Sequence, residues 1–122
     1  MAKKILIADD EPNILASLQY LLSRAGFDLR IARDGNAALA AMGEFQPDLV
    51  LLDVMMPLKS GYEVCQTIRQ NPAWQHVKLV MLTAKGRDAE VTKGLALGAD
   101  LYVSKPFSTR ELLDQLKGLL GE

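Results

Sequence analysis

Four short apolar runs in this sequence each lead into polar residues with chemical potential. Ile5-Leu6-Ile7-Ala8 runs into Asp9-Asp10, and Leu49-Val50-Leu51-Leu52 into Asp53. Leu79-Val80-Met81-Leu82 runs into Thr83, and Leu101-Tyr102-Val103 into Ser104 and Lys105. Runs apolar on both faces are what buried parallel strands require, and open α/β sheets place their sites at the carboxyl ends of strands. As neighbours in one parallel sheet, these runs bring three carboxylates, a hydroxyl and an amine to a single edge. That set suits cations and phosphate.

The rest of the chain alternates to match. Strands are predicted near 4–8, 28–32, 49–52, 77–82 and 101–104. Leu29-Arg30-Ile31-Ala32 alternates apolar and polar and is assigned to a sheet edge. Helices are predicted over 12–25, 35–43, 61–70, 87–97 and 108–120. The first carries a stripe of Ile14, Leu15, Leu18, Leu21, Leu22 and Ala25, with Pro12 at its start and Gly26 past its end. The last opens with Ser108 and Glu111 in capping-box spacing and should bury Leu112, Leu113, Leu116, Leu119 and Leu120. Five βα units imply an α/β fold with right-handed crossovers. A flavodoxin-like, doubly wound (βα)5 sheet in the order 2-1-3-4-5 puts the alternating second run at one edge and the short fifth at the other.

The 122 residues suffice for one domain, 1–122. A formal net charge of −1 gives no basic field for nucleic acid. The apolar runs are too short to span a bilayer, the start leaves no room for a signal peptide, and the lone Cys65 forms no internal disulfide. A cytoplasmic chain with no membrane contact is expected.

Asp9, Asp10 and Asp53 would sit side by side, where like charges raise a pKa or require a cation. Oxygen donors suit a hard divalent ion such as Mg²⁺, which binds through one or two carboxylates plus a phosphate. With no His or Cys beside them, zinc is disfavoured. The alternative is solvated loop aspartates, with Asp10 capping the helix that begins at Pro12. Lys105 can pair with phosphate as a point charge, or salt-bridge an aspartate. Thr83 can donate to a phosphoryl oxygen, or cap its strand end. Joined with Mg²⁺, these groups form the clamp that phosphoryl transfer requires, with Asp53 as the nucleophile of an acyl phosphate.

Asp9-Asp10, Asp53 with Met56-Pro57 and Gly61 after it, Thr83-Ala84, and Lys105-Pro106-Phe107 together resemble the receiver domain of two-component response regulators, of the chemotaxis-regulator kind. The resemblance covers essentially the whole chain. It implies that Asp53 accepts a phosphoryl group from a histidine kinase or phosphotransfer protein. It implies that Asp10, Asp53 and the Met55 backbone carbonyl ligate Mg²⁺, with Asp9 acting on the ion through water. Lys105 would pair with the phosphoryl group, and Thr83 would move to hydrogen-bond it. Tyr102 would be the coupled aromatic switch, and Lys105-Pro106 a cis bond. Met55 and Lys85 would occupy positions that tune dephosphorylation. The chain would then be a signalling switch, catalysing only its own phosphoryl transfer and autodephosphorylation.

Its output would pass through the face of the fourth helix, fifth strand and fifth helix, to a partner or an effector domain. That face also suits a homodimer: Lys93 with Glu111 and Asp100 with Lys117 match family ion pairs, whereas Leu101 and Gln115 stand where a third pair is common. His76 and Lys59 are expected in solvent, Cys65 in the core, and Trp74 over the end of the third helix. Two other readings share parts of the site. A haloacid dehalogenase-type phosphatase needs a second Asp where Met55 stands, and a flavodoxin needs a hydroxyl-rich loop where Asp9-Asp10-Glu11 stands.

Overall fold

The apolar runs form the inner strands of one sheet. In the computed structural model, which describes residues 2–84 and 98–121, five strands run parallel: β1 (Lys4–Ala8), β2 (Asp28–Ala32), β3 (Leu49–Asp53), β4 (Lys78–Ala84) and β5 (Leu101–Lys105). Their order is β2-β1-β3-β4-β5, as the alternation along the sequence implies. Every residue of β3 is buried, whereas the half-polar β2 lies at the edge. Side-chain alternation divides the core between the two sheet faces. Leu6, Ala8, Val50, Leu52, Leu79 and Met81 pack on one side, and Ile5, Ile7, Leu49, Leu51, Val80 and Leu82 on the other.

Helices α1 (Pro12–Arg24), α2 (Gly35–Phe45) and α3 (Gly61–Gln70) follow the first three strands, and a C-terminal helix (Thr109–Leu119) follows β5. α2 and α3 supply Ala38, Ala41, Met42, Val64, Cys65 and Ile68 to the first core, and α1 and the C-terminal helix supply Leu15, Leu18, Leu22, Leu112 and Leu116 to the second. Leu113, Leu119 and Leu120 are only partly buried. Among the described α-helices, three starts are capped by side chains: Asp34 accepts from the Ala37 N–H, Ser60 from Glu63 and Ser108 from Glu111. Such a cap contributes about 1 kcal/mol. The predicted helix over 87–97, with Lys85 and Lys93, lies outside the described residues. Among those described, no helix is long and apolar enough to cross a membrane.

Several boundaries differ from the sequence reading by one or two residues. α2 continues through Gly43 to Phe45, because Gln46 adopts the left-handed conformation (φ 53°) and its N–H closes the last turn on Met42. β3, β4 and β5 run through Asp53, Thr83 and Lys105, because these residues still have ladder partners: Asp53 faces Leu82, Thr83 faces Ser104, and Ala84 faces Lys105.

The chain re-enters the sheet through Gly98–Asp100, which α3 holds in place. Arg69 Nε donates to the Gly98 carbonyl at 2.9 Å, and Arg69 Nη2 meets Asp100 Oδ2 at 2.9 Å. The same carboxylate oxygen accepts the Leu79 N–H at 2.8 Å, and the Asp100 N–H returns a bond to the Leu79 carbonyl. Gly98 (φ +104°) lets Arg69 pass, since a Cβ there would stand 2.8 Å from Arg69 Cγ.

Candidate functional site

The carboxyl ends of β1, β3 and β5 bring their acidic and basic residues into direct contact. Asp9 is fully buried just past β1, and its N–H bonds the Ala32 carbonyl of β2. Its Oδ1 accepts the Glu11 N–H at 2.9 Å, and its Oδ2 meets Lys105 Nζ at 3.0 Å. Asp53 closes β3 at 5% exposure, its Oδ1 within 3.3 Å of the Met55 N–H and 3.4 Å of Lys105 Nζ. Asp10 is exposed to solvent. Each of Asp9, Asp10 and Asp53 offers a ligand atom, all within 4.8 Å of one another. Oxygen-only donors at that spacing fit a hard divalent cation.

Lys105 lies amid these acids and also reaches Glu11 Oε1 at 3.4 Å. The salt bridge to an aspartate is thus formed, to Asp9, and it places the ammonium against Asp53 as well. The Lys105–Pro106 peptide is cis. Burial, then the Asp9 charge, push the Asp53 carboxyl up from 3.8 to about 6, and Lys105 and the Met55 N–H recover only part of the shift. For Lys105, burial lowers the pKa, but the hydrogen bond to Asp9 and the charges of Asp53, Asp9 and Glu11 outweigh it and hold the ammonium above its ordinary value. An Asp53 carboxyl near 6 is still mostly ionised at pH 7, and it shares the Lys105 ammonium with Asp9 and Glu11.

The capping reading of Asp10 is not realised: the residue before α1 is Glu11, and no side chain caps that helix. Thr83 is 2% exposed and lies inside β4, one position beyond the partner of Asp53. Tyr102 pairs with Met81 in the ladder, so it is the diagonal neighbour of Thr83 on one sheet face. Met55 is exposed, as is Leu58 in the same loop. Two glycines fix that loop. A Cβ on Gly61 would stand 2.3 Å from the Asp53 carbonyl oxygen, and one on Gly35 equally close to the Lys59 carbonyl oxygen. The Gly61 N–H bonds Val54, and the Gly35 N–H bonds Pro57.

Two members of the site escaped the sequence reading. Glu11 is the third acidic partner of Lys105, and the Asp9-Asp10-Glu11 run made it visible in principle. Tyr62, whose hydroxyl lies 3.0 Å from that of Tyr102, had no signal, because only the fold brings α3 beside β5. His76 is exposed, Cys65 is buried and Trp74 is half-buried against the α3 core, as expected. Lys59 is half-buried, because its backbone and Cβ pack on Gly35.

Known proteins share this fold. A CheY-like response regulator receiver domain protein of Methanospirillum hungatei JF-1 is 30% identical, with a TM-score of 0.92 over 99% of this chain and 95% of that one. The DrrB receiver domain in its BeF3-activated form is 34% identical, with a TM-score of 0.88 over 100% of both chains. The receiver domain of the sensor histidine kinase PA1611 from Pseudomonas aeruginosa PAO1 has a magnesium ion coordinated in its active site cleft. It is 25% identical, with a TM-score of 0.90 over 100% of both chains. Residues 5–117 match the response regulator receiver domain family, and by that match the protein belongs to this family of two-component signalling domains.

Proposed function

We propose that residues 1–122 form one receiver domain that is phosphorylated on Asp53. The observation that carries this reading is the position of Lys105 Nζ, 3.0 Å from Asp9 and 3.4 Å from Asp53, beside three carboxylates that can share one cation. Asp10, Asp53 and the Met55 carbonyl would hold Mg²⁺, and Asp9 would orient its water. The bound ion would supply charge neutralisation for the equatorial phosphoryl oxygens. An Asp53 carboxylate oxygen attacks phosphorus, the O–P bond forms, and the N–P bond of the donor phosphohistidine breaks with the electron pair leaving on the imidazole. Lys105 exchanges carboxylate partners for the phosphoryl oxygens. Thr83 donates its hydroxyl to them.

The phosphoryl group carries about −1.5 to −2 charge where the Asp53 carboxylate carried −1, which favours whichever arrangement brings donors toward it. Tyr102, diagonal to Thr83, carries that preference to the face of β5 and the C-terminal helix. A sensor histidine kinase or phosphotransfer protein would be the donor, and a protein partner or attached effector domain the listener, in the cytoplasm. Met55, exposed two residues after Asp53, offers no acid or base. Hydrolysis of the acyl phosphate would then rest on the site's own water, which supports a timed switch over turnover of external esters.

Incubation with acetyl phosphate and Mg²⁺ followed by intact mass tests the reading. One phosphoryl adduct is expected, absent in Asp53→Asn and blocked by EDTA. Mg²⁺-dependent labelling that survives Asp53→Asn would overturn the assignment.

A further inference from the structure

Tyr62 occupies the first turn of α3, one residue after the glycine that stands against the Asp53 carbonyl. Its hydroxyl is 3.0 Å from that of Tyr102, 40 positions away in sequence. Both rings are half-buried and pack against the same core on the α3 side of the sheet. A tyrosine hydroxyl taken from water keeps a hydrogen-bond partner, and reorienting one ring alone breaks this bond. Tyr102 is therefore held from two directions. Thr83 adjoins it diagonally across the β4–β5 ladder. Tyr62 ties it to α3, whose start is bound to the acidic loop by the Gly61 N–H on the Val54 carbonyl.

We propose that Tyr62 is a positioning residue of the switch, coupling the orientation of Tyr102 to the loop that follows Asp53. The inference rests on the phosphorylation of Asp53 proposed above. A change at Asp53 then reaches Tyr102 along the sheet through Thr83, and around the loop through Gly61 and Tyr62. Coupling of this kind requires an element with two arrangements that both sites bias, and the hydroxyl pair, made or broken, is such an element.

The chain has three tyrosines, so 3-fluorotyrosine labelling gives three ¹⁹F resonances, assigned by Tyr→Phe substitution. Tyr20, 67% exposed on α1, is the internal control. On adding beryllofluoride and Mg²⁺, the Tyr62 and Tyr102 resonances should move together and that of Tyr20 should stay. Tyr62→Phe keeps the ring and removes only the hydroxyl. In that variant the Tyr102 resonance should be displaced before any addition, and its response should shrink roughly twofold or more as the two populations are no longer linked. A silent Tyr62 resonance, or a Tyr102 response unchanged by Tyr62→Phe, overturns the coupling while leaving phosphorylation standing. Failure of acetyl phosphate to label Asp53, read separately by intact mass, overturns the phosphorylation reading and the coupling with it.

Discussion

Lys105 spreads one positive charge over three acids, and burial still sets Asp53 apart from an ordinary carboxyl. The Asp53 carboxyl at about 6, against an ordinary 3.8, binds its proton more tightly in the folded chain. Stability from this group is present below about pH 4 and lost as pH rises towards 6, a cost of about 3 kcal/mol that is complete above that range. Asp53→Asn should raise the unfolding free energy by about 1–3 kcal/mol near pH 7.5 and by much less near pH 4.5, as urea denaturation at both pH values would measure. Lys105→Met should do the reverse. It strands the fully buried Asp9 without its cation, at about 3–5 kcal/mol, and thermal unfolding with and without Mg²⁺ should show the ion restoring part of the loss. The individual residues were legible because each ends an apolar run. Which acid holds the lysine was not, since a strand end fixes a residue's place at the edge but not the direction of its side chain.

The acidic loop is set by its two flanking elements. Gly61 abuts the backbone of β3, which the sheet ladder holds, so Gly61→Ala must shift the start of α3 and should cost about 1–3 kcal/mol. Gly35 abuts the Lys59 carbonyl and Cβ, in a loop that no sheet ladder holds. Gly35→Ala should cost less stability but still slow acetyl phosphate labelling, because it displaces the loop that carries Met55. Labelling rates and urea midpoints for the two variants separate the effects. The elements themselves could be read from 3.6- and 2-residue periodicity and, for the last helix, from the capping residue Ser108. The close approaches could not. Sequence shows where a glycine is, not which backbone it must admit, and the left-handed position that ends α2 is filled by Gln46, with no glycine to announce it.

Across the whole molecule, two apolar layers clamp the sheet, and Leu51→Ala at a fully buried position should cost about 2–5 kcal/mol by denaturant unfolding. The strand order was legible because only β2 alternates and because parallel crossovers restrict topology. The commitment of Asp100 to Arg69 and the Leu79 N–H was not. The Oδ2 of that carboxylate is held within the chain, so the pairing with Lys117 of a second copy that the family resemblance implies would compete with these bonds. Sedimentation with and without beryllofluoride should accordingly show a stronger tendency to associate in Arg69→Ala than in the parent chain. Equal behaviour would mean that the pairing does not limit association. The direction of the strands has one more consequence. Lys3 and the Leu119-Leu120 end of the C-terminal helix line one shallow hollow together with Asp48 and His76, at the edge of the sheet opposite Asp53. A strand of five residues spans roughly 16 Å. A fluorescent reporter or surface anchor joined at either end of these 122 residues would hang beneath the sheet, leaving the acidic edge open to a phosphoryl donor.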